Sequence, residues 1–198
     1  SLEPVPEWSH VRPASYMSEA ETADLTSGDV QGLTLSRGLK SGGLRRVGAI
    51  DIGTNSTHLL VASVDPALGT FSIIQAEKST TRLGERDPET GELSAAAMER
   101  GFKTLRRFLD LANSHQVEQV VTAATSAVRE APNGRDFLQS IKDELGIEVD
   151  LVSGPEEARL IYLGVLSGMS FGERPHLLLD IGGGSTELIL ADSRDARA

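Results

Sequence analysis

The feature that most constrains this sequence is an internal repeat of one strand–turn–strand unit. The segment 49–62, AIDIGTNSTHLLVA, aligns with the segment 178–191, LLDIGGGSTELILA, at an offset of 129 positions. Seven of the fourteen aligned pairs are identical: one each of Asp, Ile, Gly, Ser, Thr, Leu and Ala. A repeated supersecondary unit predicts two related lobes that each begin with the same hairpin. We therefore expect a nearly complete first lobe, followed by only the first hairpin of a second lobe.

Between the two copies, strand and helix signals alternate. Strand-like runs lie at 45–53, 57–65, 70–80, 117–125 and 147–152, and amphipathic helix patterns lie at 94–114, 134–146 and 155–169. Ser94 and Gly146 are the expected caps of the first two helices, and Pro155 suits the first turn of the third. Three consecutive strands followed by alternating helices and strands predict a mixed sheet covered by helices, which is an α/β layered domain.

The composition argues against several classes of function. A net charge of −10 on 198 residues disfavours broad nucleic-acid binding, because phosphate backbones are held by surplus Lys and Arg. There is no cysteine for a disulfide or a thiolate metal site, and no apolar run reaches the roughly 18 residues of a membrane helix. We expect a cytoplasmic protein that binds neither DNA, RNA nor a membrane. A phosphate substrate would need local help from arginines, backbone N–H groups or a metal.

Each copy of the repeat places an aspartate at the end of an apolar strand, directly before a turn rich in glycine and hydroxyl groups. Asp51 precedes GTNST, and Asp180 precedes GGGST. Glycines let backbone N–H groups approach an oxyanion, and the hydroxyls add donors. One such turn alone would favour an ordinary tight hairpin. Two copies favour a phosphate site. We expect its two aspartates to be buried, where either a metal or a bound water would satisfy them, and Mg²⁺ suits carboxylate and phosphate oxygens.

Five motifs together resemble the exopolyphosphatase and guanosine pentaphosphate phosphohydrolase (Ppx/GppA) family of the actin-like ATPase superfamily. They are AIDIGTNSTHLLVA, RLGE, ATSAVREAPN, SGPEEARLIYLGV and LLLDIGGGSTELIL, and the resemblance runs from about residue 46 to residue 192. The resemblance implies an actin-like, ribonuclease H-like lobe with a mixed five-stranded sheet. It also implies Mg²⁺-assisted release of terminal phosphate from inorganic polyphosphate or guanosine pentaphosphate in a cleft between two lobes, and a homodimer in the full-length form.

Residues 1–44 carry three of the eight prolines and no sustained periodicity, which predicts a mobile N-terminal extension. The repeat and the resemblance together give residues 45–174 as the first lobe and residues 175–198 as the truncated start of the second. A cleft that lacks one wall loses phosphate contacts and the exclusion of water. We therefore expect the 198-residue chain to be weakly active or inactive alone, and its exposed apolar hairpin to favour self-association.

Roles for individual residues follow from the same resemblance. Glu157, the second glutamate of EEAR, is the expected general base, and a place in the first turn of a helix would favour its charged form. Glu187 would place water or bind metal beside the glycine turn. The expected metal ligands are Asp51, Asp180 and Glu187. The expected phosphate-binding residues are Asn55, Ser56, Arg82, Arg129, Gly182, Gly183, Gly184, Ser185 and Thr186.

Each of these assignments has a plainer alternative. Glu157 could simply complement a helix end, and Glu187 could be an outward-facing strand acid. Arg129 could form a surface ion pair with Glu130 or Asp136. Arg82 could belong to an ordinary turn, and His58 is read as a strand residue because no second His or Cys accompanies it at metal spacing.

Two other functions are open at this stage. An ATP-dependent kinase or ATPase of the actin-like superfamily would place a nucleotide pocket in the second lobe, although the motif SGPEEARL argues against it. A non-catalytic lobe that binds polyphosphate or alarmone nucleotides would show saturable binding without phosphate release.

Overall fold

The computed structural model describes residues 43–169, 171–172, 174–191 and 196–197. The predicted N-terminal extension lies outside the described residues, apart from residues 43 and 44. In chain order the elements are β1 (Arg45–Ile52), β2 (Ser56–Asp65), β3 (Thr70–Thr80), α1 (Ala95–Ser114), β4 (Gln119–Ala124), α2 (Ser126–Arg129), α3 (Gly134–Leu145), β5 (Asp150–Leu151), α4 (Gly154–Gly168), β6 (His176–Ile181), β7 (Thr186–Ala191) and β8 (Ala196–Arg197).

The described residues form two compact units. One, the sheet unit, comprises residues 43–152 together with Gly182–Gly184. The other, the hairpin unit, comprises the described residues of 153–181 and 185–197. Helix α4 therefore belongs to the same unit as the β6–β7 hairpin, whereas the three glycines that join these strands belong by their contacts to the sheet unit. The lobe boundary expected after residue 174 stays a prediction.

The sheet unit is built on a five-stranded sheet with the strand order β3-β2-β1-β4-β5. The β1–β2 and β2–β3 pairs are antiparallel, and the β1–β4 and β4–β5 pairs are parallel. Short turns can join only antiparallel neighbours, whereas the parallel pairs require crossovers that contain helices. This topology confirms the predicted mixed five-stranded sheet and the α/β class.

One face of this sheet carries the core of the sheet unit. Side chains from β1 and β2 alternate between this face and the other, and α1 and α3 supply facing apolar residues. The side chains at the centre of the core are at most 2% exposed: Ile50, Ile52, Leu59, Val61, Leu105, Phe108, Phe137 and Ile141. The Ser94 hydroxyl accepts the N–H of Ala97 at the start of α1, and Gly146 ends α3 with φ 69°. Both predicted caps are confirmed.

The hairpin unit has a three-stranded antiparallel sheet in the order β6-β7-β8. One face of the hairpin packs in a cluster with α4 that includes Ala158, Tyr162 and Ile189. The other face exposes five large apolar side chains, each between 52% and 72% accessible: Leu177, Leu179, Ile181, Leu188 and Leu190. Within the described residues, no helix is both long enough and apolar enough to span a membrane.

Candidate functional site

The first glycine turn, between β1 and β2, is fastened to the loop that follows β3. The Gly53 N–H donates to the Ser56 carbonyl at 3.1 Å and closes the turn. From the RLGE motif, the Arg82 N–H donates to the Asn55 carbonyl at 3.0 Å, and the Gly84 N–H donates to the Thr54 carbonyl at 2.9 Å. These two backbone hydrogen bonds explain why two motifs that are far apart in sequence form one structural element.

Arg82 adopts a backbone conformation that is unusual for a residue with a side chain. Its φ is 51°, in the left-handed region, which costs of the order of 1–3 kcal/mol for a non-glycine residue. The backbone hydrogen bonds of Arg82 and Gly84 to the first turn hold the loop in this conformation. Residues kept in such conformations are frequent both in turns and at functional sites, so both interpretations of Arg82 stay open.

The second glycine turn approaches the first turn so closely that side chains at two positions would clash. A Cβ atom on Gly183 would lie 2.7 Å from the Asn55 Nδ2 atom. A Cβ atom on Gly184 would lie 2.6 Å from the Thr54 Oγ1 atom and 2.7 Å from the Ser126 Oγ atom. These two glycines are therefore required by the meeting of the two repeated turns, whether or not they also contact a phosphate group.

Two hydroxyl pairs hold these loops together. Thr54 Oγ1 and Ser126 Oγ are 3.1 Å apart, and the buried Thr57 Oγ1 and Thr81 Oγ1 are also 3.1 Å apart. Thr54 and Ser126 were not singled out from the sequence, although both lie inside recognised motifs. Ser126 begins α2, which is too short at four residues to produce a periodic signal.

An open pocket of about 530 Å³ lies beside the meeting point of the turns. It brings together three of the predicted phosphate-binding residues: Asn55, Arg82 and Gly183. It is also lined by Thr54, Thr80, Gly84 and Glu85. The other predicted residues of this group, which do not line it, are Ser56, Arg129, Gly182, Gly184, Ser185 and Thr186.

The charges around this pocket are arranged as a short network. The Arg82 Nη1 atom lies 3.8 Å from Glu85 Oε1, and the Arg100 Nη2 atom pairs with Glu85 Oε2. Arg100 is itself anchored, because its Nε donates to the Thr81 carbonyl at 2.9 Å. Glu85 was not predicted from the sequence as a site residue, since a glutamate after a glycine is also common in plain turns.

Arg129 lies at the end of α2 and is half-buried. Its Nη1 atom donates to the Val152 carbonyl at 2.7 Å. The carboxylate of Glu130, one of its two suggested ion-pair partners, lies 3.6 Å from Arg86 Nη2. The Val152 N–H in turn donates to the Ala124 carbonyl at 3.1 Å. Arg129 thus fastens α2 to the chain that leaves β5.

In the hairpin unit, two predicted acids lie directly opposite each other. Asp180 on β6 pairs in register with Glu187 on β7. They lie on the same face of the hairpin as Ile189, which is fully buried in the cluster with α4. Like charges opposite each other on a sheet are destabilising, so a cation at this position would relieve their repulsion.

Two glutamates lie in the first turn of α4. The Ser153 side chain caps the helix by accepting the N–H of Glu156, and the Glu157 N–H donates to the Ser153 carbonyl at 2.8 Å. The Glu156 carboxylate is bound by Arg159 Nε at 2.8 Å and by Nη2 at 2.7 Å. This hydrogen-bonded ion pair raises the pKa of Arg159. Glu156 is therefore committed to a structural ion pair.

The expectation that the two aspartates of the repeat are buried is wrong. Asp51 and Asp180 are both exposed. Asp51 points away from the buried Ile50 and Ile52 on its strand, whereas Asp180 lies on the hairpin face that packs with α4 but is not covered there. Among the described residues, no group of three or more His, Cys, Asp or Glu side chains converges to hold a metal ion. Mg²⁺ is commonly bound by only one or two carboxylates together with water and phosphate oxygens, and the facing pair Asp180 and Glu187 fits that requirement.

Comparisons with known proteins identify the chain's relatives. Residues 60–198 match the model of the Ppx/GppA phosphatase family. A guanosine-5′-triphosphate,3′-diphosphate pyrophosphatase of Photobacterium profundum is 39% identical over 150 residues, covering 76% of this chain and 30% of the relative. The crystal structure of a Ppx/GppA family member from Aquifex aeolicus matches with a TM-score of 0.67 and 32% identity, over 79% of this chain and 50% of that one. An exopolyphosphatase from Cytophaga hutchinsonii matches with a TM-score of 0.72 and 34% identity, over 77% and 48%.

The chain thus spans about 30% of the length of the matched pyrophosphatase and about half of each solved relative. The match to the solved structures extends the observed mixed α/β fold to the actin-like fold that the motifs had implied. The family model covers well over half of the residues. The chain belongs to the Ppx/GppA phosphatase family.

Proposed function

We propose that this chain carries the phosphate-binding and water-activating residues of a phosphohydrolase that releases terminal phosphate from inorganic polyphosphate or guanosine pentaphosphate. The observation that carries the proposal is the meeting of the two repeated turns beside a pocket that contains a guanidinium. Gly183 and Gly184 approach Thr54 and Asn55 within a few ångströms, and Arg82 lines the same pocket.

In this proposal, the site binds phosphate through backbone and side-chain donors. The exposed N–H groups of the glycine turn and the Asn55 amide donate to phosphate oxygens. Arg82 supplies a planar guanidinium, which can bind two oxygens at once. Ser56, Arg129, Gly182, Ser185 and Thr186 support the same phosphate group, either through donors of their own or by positioning the turns.

Glu157 acts as the general base that accepts a proton from the attacking water. Its place in the first turn of α4 favours the carboxylate form. Asp180 and Glu187 would hold Mg²⁺, with Asp51 as a further candidate ligand. When bound there, the ion would neutralise charge on the phosphate oxygens.

The Glu157→Gln variant tests the assignment of the base, with Glu156→Gln as a matched control one residue away. General-base catalysis contributes about 10² to 10⁴ in rate, so Glu157→Gln should reduce phosphate release by that factor while the melting temperature is retained. Glu156→Gln weakens the ion pair with Arg159 and should change stability rather than turnover. Single-turnover measurement of phosphate release, with protein in excess over substrate, makes a weak activity measurable.

Either of two results would remove the assignment. One is a Glu157→Gln variant that releases phosphate at nearly the wild-type rate. The other is an equal loss of rate in Glu156→Gln. Saturable binding of polyphosphate or guanosine pentaphosphate without any release would instead favour a non-catalytic binding lobe.

A further inference from the structure

The pocket beside the glycine turns contains a carboxylate, which is unexpected in a site for a polyanion. Glu85 lies 3.8 Å from Arg82, the one guanidinium among the described residues that line the pocket. The remaining polar side chains of the lining, those of Thr54, Asn55 and Thr80, are neutral.

Glu85 is held at this position from outside the pocket. Arg100 pairs with its carboxylate, and the same guanidinium donates to the carbonyls of Thr81 and Arg82, at 2.9 Å and 3.4 Å. The Glu85 N–H also donates to the Arg82 carbonyl at 3.1 Å. With backbone and side chain both anchored, a ligand that enters the pocket meets the carboxylate rather than displacing it.

The chemistry of this lining distinguishes two kinds of ligand. A continuous phosphate chain would bring a negative charge close to Glu85, and two unit charges about 4 Å apart repel by about 1 kcal/mol even in bulk water. A sugar would instead present hydroxyl groups that donate to the carboxylate, and the neutral side chains can bind its other oxygens.

We propose that Glu85 is a specificity-determining residue that makes this pocket favour the sugar of a nucleoside polyphosphate over a continuous phosphate chain. The inference rests on the proposed function, because it requires the terminal phosphate to bind at the glycine turns. The pocket then accepts the part of the substrate that lies behind the terminal phosphates.

The test compares the binding of two probes to the 198-residue chain by isothermal titration at low salt with Mg²⁺. One probe is GTP, and the other is a short linear inorganic polyphosphate of defined length. Glu85→Gln keeps the size and a hydrogen-bond acceptor but removes the charge. We expect it to tighten polyphosphate binding about 2- to 5-fold, the range of an exposed charge interaction, and to leave GTP binding unchanged or weaker.

Glu130→Gln is the matched control. Glu130 pairs with Arg86 at 3.6 Å and its side chain is 54% exposed, compared with 48% for Glu85, but it does not line the pocket. It should leave the ratio of the two affinities unchanged. Added salt should shrink the Glu85→Gln effect, because exposed charges are screened.

A structural role of Glu85 would change both affinities by the same factor. An unchanged ratio of the two affinities in Glu85→Gln would therefore overturn this inference and leave the proposed function standing. An equal change of the ratio in the control also overturns it. If the wild-type chain binds neither probe, then phosphate binding at the turns is wrong, and the proposed function fails together with this inference.

Discussion

Replacement of Gly184 by alanine tests whether the two repeated turns meet as the structure shows. The new Cβ atom would lie 2.6 Å from Thr54 Oγ1 and 2.7 Å from Ser126 Oγ. Both distances fall about 0.7–0.8 Å inside ordinary van der Waals contact. The two hydroxyls also bond each other at 3.1 Å, so neither can move away without loss of that hydrogen bond.

The expected loss of stability follows from these two effects. Overpacking of a well-filled site costs about 1–3 kcal/mol, and a lost hydrogen bond contributes about 0.5–1.5 kcal/mol. Because the alanine relieves part of the clash by breaking the bond, the two effects do not add fully, and we expect about 1–3 kcal/mol in total. For a chain of this length, each kcal/mol lowers the melting temperature by about 2–4 °C.

Denaturant unfolding followed by circular dichroism measures this change, and a double-mutant cycle with Thr54→Ala identifies its origin. Thr54→Ala removes the closest atom, so Gly184→Ala should cost at least about 1 kcal/mol less in that background than in the wild type. Gly164 on α4 has no atom within 4 Å of an added Cβ, and Gly164→Ala should stabilise the helix by up to about 1 kcal/mol. Additive effects of Gly184→Ala and Thr54→Ala would refute the contact between the turns.

Two further changes test other parts of the sheet unit. A Cβ on Gly134 would fall on the backbone carbonyl oxygen of Val128, so Gly134→Ala should lower the unfolding free energy by about 3 kcal/mol or more. Gly154 has open space around it, so the control Gly154→Ala should change the unfolding free energy little. Equal effects of the two substitutions would contradict this packing. The pKa of Asp150 is raised, mainly by burial and to a smaller extent by the negative charge of Glu148. The folded state therefore holds this proton more tightly than the unfolded state, and the ionised carboxylate opposes folding above its pKa. Asp150→Asn should raise the midpoint of urea unfolding at pH 7, and this increase should shrink as the pH falls through the pKa of Asp150. A lower midpoint at pH 7 would show that the ionised carboxylate does not oppose folding.

The helices were predictable because their signals are local. Ser94 caps α1 through a hydrogen bond to a residue three positions later, and Gly146 ends α3 by adopting φ 69°. Each signal is contained within a few residues of the helix end, so no knowledge of the rest of the fold is needed to recognise it. The boundaries predicted for these two helices agree with the structure within one residue at each end.

Several local elements escaped prediction because they depend on partners. The strand-like run 147–152 predicted a six-residue strand, but only Asp150–Leu151 pairs with β4. Strand β8 consists of two residues that form a strand only because β7 lies beside them. A periodic pattern says which side chains prefer burial, whereas tertiary packing decides how many residues of a strand pair with its neighbour.

The exposure of Asp51 depends on packing that its own segment of sequence does not encode. In the sequence, Asp51 ends an apolar strand, and this position predicts burial. In the structure, its neighbours Ile50 and Ile52 point into the core and Asp51 points to the opposite, exposed face. Alternation along a strand assigns faces correctly, but only the packing decides which face is covered.

The sequence by itself determined the α/β class, the repeated hairpins, the helix caps and the family, because these depend on spacings of a few residues or on motifs read in order. The tertiary structure alone decided that the RLGE loop bonds to the first turn and that Gly183 and Gly184 meet that turn. It also placed Glu85 in the pocket with Arg82. The hydroxyl bond between Thr54 and Ser126 joins residues 72 positions apart. No local preference encodes such a contact, which forms only when strands and helices pack into one core.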